Sequence, residues 1–460
     1  MAPERFFLEL TPPSDLLKSA PHVVIVGGGF AGLRAAHVLA GKTIRVTLID
    51  RRNFNLFQPL LYQVASGLVS QSDVASPLRV MLGESENIQI LMGEVDDINT
   101  AEKEVVFNNR RYRYDHLVLA AGATSSYFGH DEWRSEAIPM KTLEDAYSIR
   151  HQVLKSLEEA EQTPDLERRK WLQSFVVIGG GPTGCELAAS LNDLMRHTLE
   201  RDFMQIDPTH CKVTLVDPGD RVLRAMDPQL SQSAGDHLKA KGIELLLGGR
   251  VKDISDGKVV VTTPNGEVSL EASTICWTAG VAASPLGKLL AERTSCEVDR
   301  GGRVVVEPDF SIKDHGEIRV IGDLCSYSHT RDGKPLPGMA GPAVQMGGWV
   351  AKDILAKCQS QANPAFQFTD FGSMAVVGPL FAVANLRGLK ISGSLGWLLW
   401  GFAHLAFMPA NESRLTLLTK WLWMIATRER SALVITETTS SLPRRGHGER
   451  DRSAWPRTDG

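Results

Sequence analysis

The stretch HVVIVGGGFAGLRAAHVLAGKTIRVTLID, residues 22–50, contains an apolar run, a glycine-rich turn, a helix-forming segment, a second apolar run and an acid. This order predicts a strand–turn–helix–strand unit of an α/β sheet. Gly27 permits the tight turn, Gly29 lets the backbone approach a pyrophosphate, and Gly32 lets helix and strand pack closely. The helix N-terminus offers N–H groups to phosphate, and Asp50 is placed to bind ribose hydroxyls. The stretch therefore predicts a dinucleotide-binding Rossmann unit.

A second unit of the same form follows later in the chain. The segment FVVIGGGPTGCELAASL, residues 175–191, places Gly179, Gly181 and Gly184 after another apolar run. The strand-like run CKVTLVD, residues 211–217, then ends in an acid. Two glycine turns of this kind predict a chain that binds two dinucleotides.

Asp217, the acid at the end of that run, is placed to hold a ribose. An acid there favours a free 2′-hydroxyl and repels a 2′-phosphate, so the pattern favours NADH over NADPH. Arg221 lies a few residues further on and keeps NADPH open as an alternative. The separation of Gly181 from Asp217 is 36 residues instead of about 20, which implies a long crossover between the two strands.

Three further segments help to assign the two sites. YDHLVLAAGATSSYFG, residues 114–129, and TICWTAGVAASPL, residues 274–286, end apolar runs in small residues, which let a strand end pass beneath a cofactor. EIRVIGDLCS, residues 317–326, carries a Gly-Asp pair after a short strand. That pair is typical of the flavin-binding turn of two-dinucleotide flavoproteins, and a plain strand-terminating turn is the alternative. These segments indicate that the first unit is the flavin site.

The composition is that of a globular protein of two or three domains. The 460 residues are 43% hydrophobic and 23% charged, and 50 basic against 54 acidic residues give a net charge of −4. Basic residues are scattered, which argues against nucleic acid as the main partner. The six cysteines have no CxxC spacing, so they predict reduced structural thiols and no metal site. Glu4, Glu9 and Asp15 interrupt the N-terminus, which is therefore not expected to be an export signal.

Four longer motifs extend these patterns: LFQPLLYQVASG at 56–67, YFGHDEW at 127–133, KTLEDA at 141–146 and RDFMQIDP at 201–208. With them the chain resembles the type II NADH:quinone dehydrogenases, which are single-subunit membrane enzymes that contain FAD. The similarity spans about residues 20–436. It implies hydride transfer from NADH to FAD, transfer of two electrons to a membrane quinone, ubiquinone or menaquinone, and no proton pumping. The last motif also makes the long crossover a family feature and restores Asp217 as the predicted ribose ligand.

The resemblance implies an α/β fold with two Rossmann-like dinucleotide-binding domains, similar to glutathione reductase, followed by a C-terminal helical segment that anchors the protein to a membrane. The tail is rich in charged residues, Ser, Gly and Pro and is expected to be disordered. The predicted divisions are an N-terminal extension at 1–20, the FAD-binding domain at 21–145 and 286–365, the NADH-binding domain at 146–285, the membrane-anchoring segment at 366–436 and the tail at 437–460.

The resemblance also implies which residues hold the cofactors. Glu186 and Gln345 are the implied catalytic residues, the carboxyl near the nicotinamide and the amide bonded to a quinone carbonyl. For Glu186, an acid stabilised by the helix dipole is the structural alternative. The residues implied for FAD are Gly27, Gly28, Gly29, Phe30, Ala31, Gly32, Asp50, Arg51, Val95, Ala121, Gly122, Asp323, Ala340 and Gly341. The residues implied for NADH are Gly179, Gly181, Pro182, Thr183, Gly184, Glu186, Asp217 and Gly280.

The segments that the resemblance places at the quinone site depart from the family pattern at several positions. In PLPGMAGPAVQMGGWVA, residues 335–351, many members have glutamine where Gly341 stands, and glutamine or glutamate is frequent where Met346 stands. Downstream, Phe371 stands where a lysine is common, and Pro379-Leu380 where an arginine is common. These departures bear on the type or affinity of the quinone and leave the nucleotide sites untouched.

Two other functions remain open for this fold. Disulfide reductases need a CxxxxC on the helix after the first glycine turn, and the first cysteine is Cys185, so that class is excluded. A sulfide:quinone oxidoreductase needs a reactive cysteine pair at the flavin, for which Cys325 is one candidate with no obvious partner. A non-enzymatic, NADH-sensing flavoprotein is the second alternative.

The C-terminal region gives such an enzyme a way to reach a membrane quinone. The apolar run in SLGWLLWGFAHLAFMP, residues 394–409, is too short to span a bilayer. ESRLTLLTKWLWMIATRERSALVI, residues 412–435, has an apolar stripe and basic flanks, which predict an in-plane anchor on an anionic membrane surface. The resemblance implies that this surface is the cytoplasmic face of the cell inner membrane. A core helix pair or a homodimer interface is the alternative. The stripe is Leu415, Leu418, Trp421, Leu422 and Ile425, the flanks are Arg414, Lys420, Arg428 and Arg430, and the predicted interfacial indoles are Trp397, Trp400, Trp421 and Trp423.

Overall fold

The structure is a computed structural model that describes residues 17, 19–430 and 432–435, with the side chains of 197–201 outside the description. Most of the predicted N-terminal extension at 1–20 and the whole predicted tail at 437–460 lie outside the described residues. Within the described part, strands and helices alternate as in an α/β fold.

The strands build two large sheets and several small ones. In chain order they are β1 (His22–Val26), β2 (Arg45–Asp50), β3 (Phe54–Leu56), β4 (Ala75–Pro77), β5 (Ile88–Met92), β6 (Val95–Asn99), β7 (Glu104–Phe107), β8 (Arg110–Arg113), β9 (His116–Leu119), β10 (Ala123–Ser125), β11 (Ala137–Pro139), β12 (Ser174–Ile178), β13 (Lys212–Asp217), β14 (Glu244–Leu247), β15 (Arg250–Ser255), β16 (Lys258–Thr263), β17 (Gly266–Glu271), β18 (Thr274–Trp277), β19 (Val281–Ala283), β20 (Val304–Val305), β21 (Ser311–Ile312), β22 (His315–Val320), β23 (Cys325–Ser326), β24 (Ser373–Gly378), β25 (Phe381–Leu386) and β26 (Leu389–Gly393).

The α-helices connect these strands and close the chain. In chain order they are α1 (Phe30–Leu39), α2 (Leu61–Ala65), α3 (Gln71–Val74), α4 (Leu78–Leu82), α5 (Leu143–Gln162), α6 (Leu166–Leu172), α7 (Pro182–Asp202), α8 (Pro228–Ala240), α9 (Leu286–Thr294), α10 (Ala340–Cys358), α11 (Ser394–Phe407) and α12 (Asn411–Thr427). Short 3-10 helices lie at Gln58–Leu60, Asp131–Ser135, Pro208–His210 and Gly322–Leu324.

The first domain is built around a six-stranded sheet in the order β21-β22-β9-β1-β2-β5. β1 pairs in parallel with β2 and β9, and α1 makes the crossover that parallel neighbours require. The apolar run that precedes the first glycine turn is buried on both faces of the sheet. β21 and β22 come from the later part of the chain, so this domain is assembled from two separate parts.

The second domain is built around a five-stranded parallel sheet in the order β11-β18-β12-β13-β14. The long crossover from β12 to β13 contains α7, a helix of 21 residues. Because β11 pairs with β18, the chain enters this sheet at Ala137, ahead of the division predicted at 145/146. Phe366 and Phe368, just after the division predicted at 365/366, pack into the core of the first domain.

The C-terminal unit is not purely helical, which corrects the prediction for 366–436. It opens with a three-stranded antiparallel sheet, β24-β25-β26, and only then forms α11 and α12. β24 packs against α7 of the second domain, and β25 packs against α11. The sheet therefore joins the two terminal helices to the dinucleotide-binding core.

The two terminal helices turn two of their tryptophans inward. Trp400 and Trp421 are buried, with 1% and 3% exposure, and their rings contact each other with centroids 5.1 Å apart. The prediction that both indoles lie at a lipid interface is therefore wrong, because they form the core beneath α11 and α12. In the described part of the chain, no helix is both long enough and apolar enough to cross a bilayer.

Candidate active site

The first glycine turn is tight on two sides and open on the third. Gly27 has a left-handed φ of 105°, and a Cβ there would collide with the carbonyl of Ala120. A Cβ at Gly32 would collide with the carbonyl of Gly27, so glycine lets α1 approach the turn. No described atom lies within 4 Å of a Cβ built at Gly29. The backbone at Gly29 is therefore open to a phosphate group.

The second glycine turn repeats this geometry. Gly179 has a φ of 114°, and a Cβ at Gly184 would collide with its carbonyl. Around Gly181, no described atom lies within 4 Å of a built Cβ. The two turns therefore offer the same kind of opening, one at the end of β1 and one at the end of β12.

Asp50 closes the first turn from the end of β2. Its Oδ2 accepts the N–H of Gly28 at 2.6 Å, and its Oδ1 accepts the N–H of Arg52 at 2.7 Å. Burial raises the pKa of the Asp50 carboxyl, while these N–H groups favour its charged form. A carboxylate has about four acceptor positions, so the fixed side chain keeps capacity to bind ribose hydroxyls.

Asp217 is held in the same way at the second turn. Its Oδ2 accepts the N–H of Gly180 at 2.6 Å, and its Oδ1 accepts the N–H of Gly219 at 2.7 Å. The Arg224 Nε lies 3.6 Å from Oδ1 of the same carboxylate. Arg221 instead pairs with Asp220 at 3.6 Å. The acid predicted to select NADH is therefore oriented by its own glycine turn and flanked by one arginine.

Three helices have N-terminal ends that suit anionic ligands, and two of them, α1 and α7, begin at the glycine turns. In the described residues, the first turns of α1, α7 and α10 contain no acidic side chain, and no side chain caps the N-terminus of α1 or α10. Free N–H groups and the positive end of the helix dipole favour anionic ligands. These N-terminal ends therefore fit phosphates or other negatively charged groups of a ligand.

Asp323 lies beside the start of α10. Its carboxylate is 3.5 Å from the Lys141 Nζ, and a Cβ at Gly338 would lie 3.3 Å from its Oδ1. The N–H of Gly322 donates to the Met346 Sδ at 3.3 Å. Met346, at a position where relatives often have a polar residue, is thus a buried part of the contact between this turn and α10.

The other residues predicted to bind the dinucleotides lie near the carboxyl ends of the strands, where ligands bind in parallel α/β sheets. Val95 is buried at the start of β6, and Arg51 is exposed directly after β2. The rest begin helices or follow strands: Phe30 and Ala31 in α1, Pro182 and Thr183 in α7, Ala340 and Gly341 in α10, Ala121 and Gly122 after β9, and Gly280 after β18.

Glu186 is a buried carboxyl on the face of α7 that meets the C-terminal sheet. Among the described residues, its hydrogen-bond donor is the N–H of Val376 at 3.4 Å, a long contact. Burial raises the pKa of Glu186 to about 8. At pH 7 the side chain therefore carries a proton that it can release.

Glu186 and the two terminal helices line one pocket. Trp397, Trp400 and Trp421 give it apolar lining, and Tyr62 also lines it. Burial and the nearby Glu186 raise the pKa of the Tyr62 hydroxyl, so it stays protonated. Because Trp400 Nε1 is buried and has no hydrogen-bond partner among the described residues, the pocket combines an apolar wall with an unsatisfied donor.

Gln345 is already engaged within the protein. Its Nε2 donates to the carbonyl of Thr369 at 2.9 Å, and its Oε1 accepts the N–H of Thr369 at 2.9 Å. Both ends of the amide thus hold the chain after α10 in place. A bond from this amide to a quinone carbonyl would require the pair to open.

Two of the departures from the family pattern, Phe371 and Pro379-Leu380, lie beside β24 of the C-terminal sheet. Phe371 is exposed before β24, with the Arg387 guanidinium 5.7 Å from its ring centre. Pro379 and Leu380 form the turn between β24 and β25, and Pro379 lines the pocket beside Glu186. Arg387 therefore places a positive charge near a position where many relatives have a lysine.

Several residues of the site were missed by the sequence predictions. Tyr62 and Lys141 lie in the motifs at 56–67 and 141–146 but had no assigned role. The Asn55 Nδ2 donates to the carbonyl of Gly28 at 2.8 Å, while its buried Oδ1 lacks a partner among the described residues. Position within the motifs was a usable signal for Tyr62 and Lys141.

The cysteines do not form a reactive pair. Burial raises the pKa of the Cys325 thiol, which disfavours the nucleophilic thiolate. All six cysteines are free thiols. Within the described residues there is also no group of His, Cys, Asp and Glu side chains that could hold a metal ion. These features give no support to a sulfide:quinone oxidoreductase.

Comparisons with known proteins match this geometry. The family model of pyridine nucleotide-disulphide oxidoreductases matches residues 21–347. A type II NADH:quinone oxidoreductase of Mycobacterium tuberculosis is 39% identical over 424 residues and covers 90% of each chain. The NDH2 of Plasmodium falciparum, solved in complex with NADH, aligns with a TM-score of 0.82 at 19% identity, over 90% of this chain and 99% of that one.

A solved sulfide:quinone oxidoreductase of Aquifex aeolicus is also similar, with a TM-score of 0.66 at 19% identity over 84% of this chain and 90% of that one. At that identity the likeness shows a shared fold. The relative from Mycobacterium tuberculosis is similar along nearly its whole length and at a much higher identity. The chain therefore belongs to the type II NADH:quinone oxidoreductases, within the pyridine nucleotide-disulphide oxidoreductase family.

Proposed function

We propose that this protein oxidises NADH and passes two electrons to a membrane quinone, with FAD as its bound cofactor and without proton pumping. The observation that carries the proposal is the pair of matching glycine turns, each open at its middle glycine and each closed by an oriented acid. Two dinucleotides fit these turns, and membership of the family gives the electron acceptor as a quinone.

The first turn and the start of α10 suit FAD. Gly29 and Asp50 would hold the adenosine and pyrophosphate, and Asp323 would hold the ribityl part. The unpartnered Asn55 Oδ1 beside Gly28 fits a ligand that brings a donor into this turn. FAD, when bound, supplies the two-electron chemistry that links a hydride donor to a quinone.

The second turn suits NADH. Gly181 leaves room for the pyrophosphate, and Asp217 would bind the ribose hydroxyls, which disfavours a 2′-phosphate. Arg224 lies against that carboxylate and offsets part of its negative charge. We therefore expect NADH to be preferred over NADPH by a margin that Arg224 reduces.

Glu186 is the proposed proton source for quinone reduction. Two electrons convert a quinone to a quinol only when two protons are also supplied. A buried carboxyl with a pKa of about 8 holds a proton at neutral pH and releases it to a more basic oxygen. Gln345, whose amide nitrogen and amide oxygen are both hydrogen-bonded to Thr369, would help to shape the quinone site.

The outer face of α11 and α12 is proposed to lie on the membrane surface. Phe402, with 74% exposure, and Trp423 place aromatic rings on this face. Arg428 is exposed at its edge, whereas Lys420 and Arg430, predicted as lipid-facing flanks, are paired inside the protein. The other exposed apolar residues of the two helices are Leu395, Leu398, Phe407, Leu415, Leu418, Leu422 and Ile425.

This apolar face fits an in-plane attachment because its residues extend along both helices. The resemblance to the family favours the cytoplasmic face of the cell inner membrane, where NADH is available. A homodimer formed through the same face is the competing arrangement, and the two differ in whether lipid vesicles or protein concentration control the exposure of this face.

The proposal is tested with the purified holoenzyme and anionic lipid vesicles that contain ubiquinone or menaquinone. We expect one FAD per chain, NADH-dependent formation of quinol, slower turnover with NADPH, and co-sedimentation with the vesicles. Oxidation of NADH without quinol formation would contradict the electron-transfer proposal. A concentration-dependent dimer that ignores vesicles would contradict the membrane attachment.

A further inference from the structure

Arg430, the third residue after α12, is buried inside the protein, with 4% of its side chain exposed. Its Nη2 donates to the Asp193 Oδ2 at 2.7 Å and to the carbonyl of Ser190 at 3.2 Å. Its Nη1 donates to the carbonyl of Ser66 at 2.8 Å. A planar cation that bonds in two directions fixes both partners. Arg430 therefore ties the end of the terminal helices to α7 and to the loop after α2.

The chain around Arg430 is docked by further contacts. The N–H of Ala432 donates to the carbonyl of Gly67 at 3.2 Å, and the Leu433 side chain packs against Gly67. Beneath them, the Ser190 Oγ donates to the Ser66 Oγ at 2.6 Å. A buried guanidinium is costly unless it is paired and hydrogen-bonded. The cation thus occupies this position only while the end of α12 is docked.

Arg430 and Glu186 line the same pocket. Glu186, Ser190 and Asp193 have the spacing that places residues on one face of a helix, in this case α7. Among the described residues that line the pocket, Arg430 is the cationic side chain. It brings a positive charge to a wall that otherwise holds two carboxyl groups.

The other titratable groups around Glu186 are neutral. Tyr62 faces it from α2, and both Glu186 and Arg430 act on the pKa of that hydroxyl, in opposite directions. Cys185 is the buried neighbour on α7, and burial raises the pKa of its thiol. From α8, the His237 ring lies behind Gly378. Asp193 and Arg430 are therefore the charged side chains that line the pocket together with Glu186.

We infer that Arg430 is a positioning residue for quinone reduction, which sets the charge beside Glu186 and makes proton supply depend on the docking of the terminal helices. The inference rests on the proposed function and adds a regulation to it. Attachment of α12 would place Arg430 in the pocket, and detachment would withdraw the cation and admit water. The enzyme would then be tuned for quinone when its membrane-facing helices are seated.

The ion pair predicts shifts of opposite sign. Removal of the cation in Arg430→Met disfavours the carboxylate form of Glu186, so the fall of quinone turnover at alkaline pH moves to higher pH. Removal of the anion in Asp193→Asn has the reverse effect. We expect each shift to be about half a pH unit or more. A residue with a purely structural role would lower turnover without moving the two profiles apart.

The experiment measures NADH:quinone turnover against pH in vesicles, with FAD content and melting temperature recorded for each variant. Arg430→Lys, which keeps the charge, is expected to retain the parent profile. Lys420→Met is the matched control, since Lys420 also ties α12 to the core, through Asp73, but does not line the pocket. It is expected to leave the profile in place.

Opposite shifts that vanish in a Glu186→Gln background would support the inference. Equal shifts, no shift, or the same shift in Lys420→Met would overturn it while leaving NADH:quinone activity established. If Arg430→Met does not retain FAD, Asp193→Asn carries the test: a profile that fails to move to lower pH would overturn the inference. Absence of quinone turnover in the parent chain at every pH would instead contradict the proposed function.

Discussion

Gly184 brings α7 so close to the second glycine turn that any side chain there would displace the turn proposed to bind NADH. A Cβ at this position would collide with the Gly179 carbonyl and would lie 2.6 Å from the Thr278 Oγ1. We expect Gly184→Ala to weaken NADH binding by about 1–3 kcal/mol, roughly 5- to 150-fold in KM, with FAD content unchanged.

The matched control for that substitution is Gly235→Ala, in α8 of the same domain. A Cβ at Gly235 would meet its neighbours at 3.8 Å, an ordinary contact. Steady-state kinetics and flavin absorbance are measured for both variants. An equal rise in the KM for NADH in both, or no rise in Gly184→Ala, would contradict the assignment of this turn to NADH.

Glu186 gives the reaction a defined pH dependence. Burial raises its pKa to about 8, so the carboxyl is protonated below that pH and ionised above it. If the protonated form supplies quinone, turnover falls as pH rises through about 8. Glu186→Gln is expected to remove this fall and to lower quinone turnover by roughly 10²-fold or more.

An acceptor that needs no proton separates this role from a general loss of function. NADH oxidation by ferricyanide is expected to change little in Glu186→Gln, because that acceptor takes electrons alone. Parallel pH profiles are recorded with quinone and with ferricyanide. Parent-like quinone turnover in the variant, or equal losses with both acceptors, would show that Glu186 is not the proton source.

The apolar face of α11 is part of the surface that is proposed to attach the protein to the membrane. Leu398 and Phe402 are exposed one turn apart on this helix. Each side chain would contribute about 1.5–3 kcal/mol to insertion into the membrane. Because about 1.4 kcal/mol changes an affinity tenfold, the double variant Leu398→Glu with Phe402→Glu is expected to bind vesicles about a hundredfold or more weakly than the parent. Vesicle sedimentation measures this change.

The control variant adds a charge at an exposed apolar residue outside this face. Val80, exposed on α4 of the first domain, is replaced in Val80→Glu, which is expected to bind vesicles like the parent. FAD content is expected to stay unchanged in both proteins, because the face lies outside the cofactor turns. Equal vesicle binding by all three proteins would rule out α11 as the attachment.

The elements differ in how well their sequences predicted them. The first glycine turn and its acid form a local pattern within about 30 residues, so Gly27, Gly29, Gly32 and Asp50 follow from spacing. The second turn follows in the same way, but its acid, Asp217, lies 36 residues after Gly181 and was assigned through the resemblance. The sheet β24-β25-β26 was missed because its short strands carry small and apolar residues without a clear alternation. The inward direction of Trp400 and Trp421 depends on packing against other elements, which helical spacing does not specify.

At the scale of the whole molecule, the site depends on contacts between distant parts of the chain. Glu186 and Arg430 line one pocket although the residues are far apart in sequence. Arg430 was predicted to be a basic flank for lipid because its local pattern fits an amphipathic helix. Only the three-dimensional arrangement, in which the chain after α12 returns to α7, makes it a buried partner of Asp193.

The most direct test of the central claim is a double-mixing experiment on the purified holoenzyme, with flavin absorbance followed in time. NADH is mixed first, and a soluble quinone analogue is added once the absorbance has bleached. The account predicts rapid bleaching and then recovery at a rate that rises with quinone concentration, with quinol formed in equal amount to the NADH consumed. A long-lived bleached state that is indifferent to quinone would contradict it and would favour an NADH sensor.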